Sequence, residues 1–167
     1  MTDEDDRPEN NQFRVNSRLQ VTETSSQLLN NASRSIKVLL YDYDDTVLPT
    51  TELDALLPSF IRKHERNRFH YLCSESDLLR GRGGKLVALA RRYSTFIKLR
   101  QLPEGLKPVH DQFIVIDSLS SIQTQDHRSY DYYAHIDDRA RARLLENRFE
   151  ELWSRSEAVP GVHVTGL

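Results

Sequence analysis

The sequence predicts an α/β layered domain, with a mixed, mostly parallel sheet flanked by helices. Two observations carry this. Short apolar, partly β-branched runs alternate along the chain with stretches whose apolar residues recur at helical spacing. The chain has 167 residues, 38% hydrophobic and 29% charged, which is enough to bury one ordinary core. With no internal repeat and no Pro- or Ser-rich linker, a second domain is not expected. Residues 1–14 open with Met1-Thr2-Asp3-Glu4-Asp5-Asp6 and offer little apolar surface, so they are expected to form a disordered acidic tail. Residues 15–167 are expected to form the single domain.

The elements follow in order. Leu28, Leu29 and Ala32 recur at helical spacing between Glu23 and Ser33, with Thr22 or Thr24 as the cap. Ile36-Lys37-Val38-Leu39-Leu40-Tyr41 reads as a buried strand. Leu53, Leu56, Leu57, Phe60 and Ile61 form one face of a helix, and Phe69–Cys73 a second strand. Gly83-Gly84 precede a helix with Leu86, Val87, Leu89 and Ala90 on its apolar side. Phe96–Arg100 and Gln112–Asp117 read as further strands, and Ser121–Thr124 and Asp131–Ile136 as weaker ones. A closing helix runs from about Arg139 to Arg155, with Leu144, Leu145, Phe149, Leu152 and Trp153 expected to face inward.

Composition narrows the function classes. Cys73 is the single cysteine, which excludes an intrachain disulfide and any multi-cysteine metal site. No apolar run approaches the ~20 residues of a membrane span, and the acidic N-terminus is not a signal peptide. A cytoplasmic protein is expected. The net charge of −2 hides an asymmetry. Residues 80–107 carry Arg80, Arg82, Lys85, Arg91, Arg92, Lys98, Arg100 and Lys107 against Glu104 alone. Such a stretch either draws an anionic ligand or is a solvated helix face.

The stretch Val109-His110-Asp111-Gln112-Phe113-Ile114-Val115-Ile116-Asp117 carries the chemistry. On a strand, His110 and Gln112 project to one face, because side chains alternate. An imidazole held beside a hydrogen-bond donor suits phosphate chemistry. Asp117, an odd number of residues from His110, lies across the strand or beyond its end. The spacing resembles the H-x-K-x-x-x-x-D signature of the phospholipase D superfamily, with Gln112 in place of the lysine. The later Gly-Ser and Asn of that pattern are absent from Ser118-Leu119-Ser120-Ser121-Ile122. Across roughly residues 18–157, including Phe149-x-x-Leu152-Trp153-x-x-Ser156, the chain resembles an uncharacterised bacterial family of single-domain, degenerate phospholipase D-like proteins.

That resemblance implies a half-site of His110, Gln112 and Asp117, with His110 as nucleophile and Gln112 steadying phosphate. It implies a twofold homodimer to join two half-sites, and no cofactor. Whether the domain is an enzyme stays open; an active one would be a metal-independent phosphodiesterase working through a phosphohistidine. With the lysine gone, the expected function is non-catalytic or weakly active binding of phosphate, phosphodiester or nucleic acid. Arg80, Arg82, Lys85, Arg91 and Arg92 are the candidate phosphate-binding residues.

Tyr41-Asp42-Tyr43-Asp44-Asp45-Thr46-Val47 carries a rival. An apolar strand followed by D-x-D-x-T-V resembles the first motif of haloacid dehalogenase-type phosphotransferases. That resemblance implies a magnesium-dependent phosphatase with Asp42 as nucleophile, Asp44 as general acid/base, and Asp137 and Asp138 completing the metal site. Ser74 would bind the phosphoryl group, and Lys98 or Lys107 would neutralise charge. A third alternative is a regulatory or interaction domain with no ligand.

Overall fold

The computed structural model describes residues 12–44 and 46–162. In chain order they form β1 (Gln12–Val15), α1 (Arg18–Asn30), β2 (Ser35–Leu40), α2 (Thr50–Lys63) and β3 (Arg68–Cys73). Then come α3 (Asp77–Arg82), α4 (Gly84–Arg92), β4 (Ile97–Gln101), β5 (Gln112–Ile116) and β6 (Ser120–Thr124). β7 (Tyr132–His135), α5 (Arg139–Ser154) and β8 (Glu157–Ala158) complete the described chain.

The connections set the strand directions. Helical crossovers join β2 to β3 and β3 to β4, and these strands pair in parallel. The segments 117–119 and 125–131 contain no helix and reverse the chain, so β5, β6 and β7 pair antiparallel. β5 also runs antiparallel to β2 and joins the two halves into one eight-stranded mixed sheet, ordered β1-β7-β6-β5-β2-β3-β4-β8. The expected α/β class with a mixed sheet between helices is present, but the sheet is mostly antiparallel rather than mostly parallel, because helical crossovers give parallel pairing only in β2–β3 and β3–β4.

The sheet buries both faces, which explains the near-continuous apolar runs of its central strands. Ile36, Val38, Phe69, Tyr71, Ile97, Ile114 and Ile122 pack against α1, α2 and α4. Leu39, Leu72, Phe113 and Val115 pack against α5 on the other face. α5 buries Ala142, Leu145, Phe149 and Leu152, whose spacing follows one stripe of the helix. Leu144, expected inside, is 62% exposed, because one residue turns the side chain about 100° off that stripe. Among the described residues, no helix is long and apolar enough to cross a membrane.

Three local details differ from expectation. α1 starts at Arg18 rather than near Glu23, because Ser17 caps it by accepting from Gln20 N at 3.2 Å. Thr22 instead donates to Arg18 O and Thr46 O. Ser17→Ala is expected to cost about 1 kcal/mol and lower Tm by roughly 2–4 °C in thermal unfolding. Gln12–Arg14, inside the stretch expected as tail, belong to β1 and pair with β7 at the sheet edge. Residues 1–11 of that expected tail lie outside the described residues. The Gly83 position reflects a close approach, since a Cβ there would meet Leu79 O at 2.5 Å.

On the α5 face, His70 stacks on Trp153 with ring centroids 4.8 Å apart. Burial, then the charges of Lys37, Lys98 and Arg68, pull its pKa down from 6.5 to about 4. The unfolded chain therefore binds the proton first. Stability from this residue is full above pH 6.5 and falls as pH drops through 6.5 to about 4, by on the order of 2 kcal/mol. Urea titrations at pH 7 and pH 4.5 should show that slope, and His70→Phe should flatten it.

Candidate functional site

β2 and β3 end on the same edge of the sheet and deliver Tyr41, Asp42, Ser74 and Glu75 there. β5 starts at that edge, preceded by Lys107–His110, and the β6–β7 loop brings His127, Arg128 and Tyr130 to it. In open α/β sheets, the carboxyl ends of parallel strands are where ligands bind. Two cavities meet here, of ≈ 380 and ≈ 310 Å³, and share Tyr41, His127 and Arg128 as their common wall.

That wall is a ring stack. His127 lies flat on Tyr41 at 4.1 Å with 5° between planes, and His110 follows at 5.8 Å and 16°. The backbone N of His127 donates to His110 O at 2.7 Å, and His127 Nδ1 lies 3.3 Å from the same oxygen. A carbonyl only accepts, so this contact is a hydrogen bond when Nδ1 carries a proton. His110 itself is exposed.

Gln112 is 6% exposed, and both ends of its amide are engaged. Oε1 accepts from Tyr41 N at 3.0 Å, and Nε2 donates to Tyr132 Oη at 2.7 Å. Burial pushes the Tyr132 phenol up to about 12, so it stays protonated. The side chain that stands where the resemblance has its lysine thus ties β5 to the end of β2 and to β7.

The cations at the site are tethered. Arg128 is gripped by Asp126 through Nε and Nη2, both at 2.9 Å, and these hydrogen bonds hold the Asp126 carboxyl far below its usual range. Lys107 Nζ reaches Glu75 at 2.9 Å and Glu104 at 3.0 Å. Burial works against that ammonium, but the two carboxylates outweigh it and raise its pKa. Ser74 Oγ is buried and has no protein partner beside Lys107 and His110 in the ≈ 310 Å³ cavity. Lys107 and Arg128 therefore offer donors around a space that the aromatic wall closes on one side, with Ser74 Oγ buried behind it.

Asp117 lies elsewhere. It follows the far end of β5, and its carboxylate accepts from Ser33 N and Oγ, Arg34 N and Ser35 N, at 2.7–3.2 Å. Ser35 begins β2 whereas Tyr41 follows its end, so about 20 Å of strand separates Asp117 from the ring stack. The structure brings His110 and Gln112 to one edge of the sheet and leaves Asp117 at the other.

Arg80, Arg82, Lys85, Arg91 and Arg92 sit exposed on α3 and α4, and none lines the two cavities. Arg80 pairs with Asp77 at 2.7 Å, Arg91 donates to Gly161 O and Val162 O, and Arg92 lies over Tyr93. The four acidic residues of the rival reading are also split. Asp42 accepts from Tyr43 N and Leu78 N, and Asp44 from Thr46, at the end of β2. Asp137 and Asp138 bond to Ser120 Oγ and Leu119 O, at the edge where Asp117 lies. Among the described residues, no three His, Cys, Asp or Glu side chains come together in a way that would hold a metal ion.

Sequence reasoning missed His127 and Arg128 as parts of this site, and placed Lys107 and Ser74 there only under the rival reading. The cluster Asp126-His127-Arg128-Ser129-Tyr130 between two weak strands was the available signal, since such polar loops carry function on rigid scaffolds.

A family model described as "Domain of unknown function (DUF7931)" matches residues 17–164. No curated protein matches the sequence. Several solved structures are similar. The archaeal chromatin protein TrmBL2, described as showing a novel mode of DNA binding, superposes with TM-score 0.65 at 18% identity, over 93% of this chain and 56% of that one. The chain thus spans little more than half of TrmBL2. Nuc from Salmonella typhimurium, a phospholipase D family member, superposes with TM-score 0.59 at 12% identity, over 82% of this chain and 89% of Nuc. NucT from Helicobacter pylori gives TM-score 0.59 at 8% identity, over 89% and 97%. At these identities the likeness establishes the phospholipase D-like fold and no activity.

Proposed function

We propose that this chain, which belongs to the DUF7931 family, is a phosphodiester-binding domain of phospholipase D-like fold that holds nucleic acid without cleaving it. One observation carries the reading. The Gln112 amide is neutral, and its Oε1 and one Nε2 hydrogen are tied to Tyr41 N and Tyr132 Oη, so that position brings no charge to stabilise a pentavalent phosphate. What remains is a binding surface. The ring stack of Tyr41, His127 and His110 presents its outer faces to a base, and Lys107 and Arg128 donate to a phosphate. The DNA binding named for TrmBL2, which has a similar fold, supports the same reading.

A twofold dimer bringing two copies of His110 together completes the proposal, and the exposed arginines of α3 and α4 add a nonspecific electrostatic contribution. The test is fluorescence anisotropy of a labelled single-stranded oligonucleotide across a salt series. Expected is salt-dependent binding, weakened at least tenfold by the double substitution Tyr41→Ala/His127→Ala. Arg80→Ala/Arg82→Ala should lower the salt slope and the low-salt affinity while leaving the high-salt affinity nearly unchanged. Alongside, bis(p-nitrophenyl) phosphate should remain unhydrolysed with magnesium or with EDTA. EDTA-resistant turnover lost in His110→Ala would replace binding by phosphohistidine catalysis. Magnesium-dependent monoester turnover lost in Asp42→Asn would overturn the proposal in favour of a phosphatase. Light scattering that finds only monomer would remove the dimer.

A further inference from the structure

β6 and β7 pair Ser121 with His135 and Gln123 with Tyr133. Their neighbours Ile122, Tyr132 and Ala134 enter the core under α1, so by alternation these four side chains project to the face that carries α5. Polar groups gather there without partners. Ser121 is 0%, His135 2% and Gln123 7% exposed. Ser121 Oγ, Gln123 Oε1 and both ring nitrogens of His135 have no hydrogen bond in the protein. Buried polar atoms are satisfied in most folded proteins, so several orphans on one patch of sheet point to an absent partner.

A cavity of ≈ 440 Å³ opens beside them, lined by Gln123, His135 and Arg141 among others. That volume suits a small metabolite. Its charges are uneven. The carboxylates on its wall are engaged, Asp126 by Arg128 and Asp131 by Arg14. The Arg141 guanidinium, on the first turn of α5, makes no ion pair among the described residues. The patch thus holds one unclaimed cation, one amide oxygen that only accepts, one hydroxyl and one imidazole. Burial, then Arg141, lowers the His135 pKa against the pull of Asp138, which favours the neutral ring.

We propose that this cavity is a second ligand site, separate from the ring stack, and that it takes a small hydroxylated anion. The anionic group lies against Arg141, and hydroxyls reach Gln123 Oε1 and His135 when these side chains turn toward the cavity, since their polar atoms are covered in the ligand-free protein. A carboxylate and a phosphate both meet the forked guanidinium, so hydroxy acids and phosphorylated polyols share the required chemistry. An apolar ligand would leave the orphans unmatched, and a neutral polyol would leave Arg141 unpaired.

The test is isothermal titration and thermal unfolding of the full chain with gluconate, glucose 6-phosphate, glucose and inorganic phosphate. Expected is binding of gluconate or glucose 6-phosphate, with glucose and phosphate at least tenfold weaker; the stronger of the first two identifies the anionic group. Arg141→Gln should weaken that binding at least tenfold. Gln123→Leu should abolish it while raising the ligand-free Tm, because an orphaned acceptor is replaced by an apolar group of similar size. No binding by any probe, or binding unchanged in both variants, overturns the proposal. A fall in the ligand-free Tm of Gln123→Leu together with no binding would mark the patch as water-satisfied structure. Neither variant touches Tyr41, His127 or Arg128, so oligonucleotide binding succeeds or fails independently.

Discussion

Asp117→Ala should destabilise the domain by about 3–4 kcal/mol, which is a fall in Tm of roughly 10 °C. The carboxylate gathers the backbone N–H groups of Ser33, Arg34 and Ser35 and the Ser33 hydroxyl, so it fastens the junction between α1 and β2 to the turn after β5. Hydrogen bonds to a charged acceptor contribute about 1.5–3 kcal/mol each, and partial rehydration of exposed Ser33 and Arg34 keeps the total below the sum. Asp117 also sits at φ 57, a conformation that alanine adopts with strain. Asp117→Asn tolerates that φ and keeps one carbonyl oxygen, so it should retain more than half of the lost stability. Urea denaturation followed by circular dichroism measures both. Oligonucleotide affinity of the folded protein should be unchanged, because the ring stack lies at the other edge of the sheet. An affinity loss without a stability loss would assign Asp117 to the binding site instead.

Gln112→Lys restores the residue type of the phospholipase D signature, yet it should cost about 3 kcal/mol and generate no phosphodiesterase. An ammonium can donate to Tyr132 Oη as the amide does at 2.7 Å, but it cannot accept from Tyr41 N. It would bury a charge at a position 6% exposed and leave an N–H unpaired. Tyr41 would lose its anchor, so the stack with His127 should loosen and oligonucleotide affinity should fall with stability. Gln112→Glu separates the two effects, since it keeps the acceptor for Tyr41 N and loses the donor. EDTA-resistant diester turnover by Gln112→Lys would show that one missing charge, rather than the bonding of the amide, silences the site.

Much of the architecture can be read from local pattern. Ile36–Leu40, Phe69–Cys73 and Gln112–Ile116 are strands because their side chains fill both faces of a central sheet, and that demand writes itself into consecutive residues. β1 and β8 leave no such trace. They are short edge strands of largely exposed residues, held by backbone pairing to β7 and β4, and backbone pairing has no side-chain signature. In α5 the period identifies the helix and most of its buried stripe. Which of Leu144 and Leu145 turns inward depends on where the helix docks against Phe113 and Val115.

The candidate site divides along the same line. His110 and Gln112 fall near each other in the sequence and reach the same edge of the sheet, but His110 precedes β5, is exposed, and lines a different cavity from the buried Gln112. His127 arrives from a loop 17 residues later, and Tyr41 from another strand. Gln112 is bonded to residues 71 positions before it and 20 after it, and Asp117 to residues 82–84 positions before it. Periodicity and spacing are properties of a single segment, so element type, order and the α/β class are legible in the chain. A polar side chain's role depends on which donors and acceptors surround it, and for Gln112 and Asp117 those come from distant segments that meet when the sheet closes.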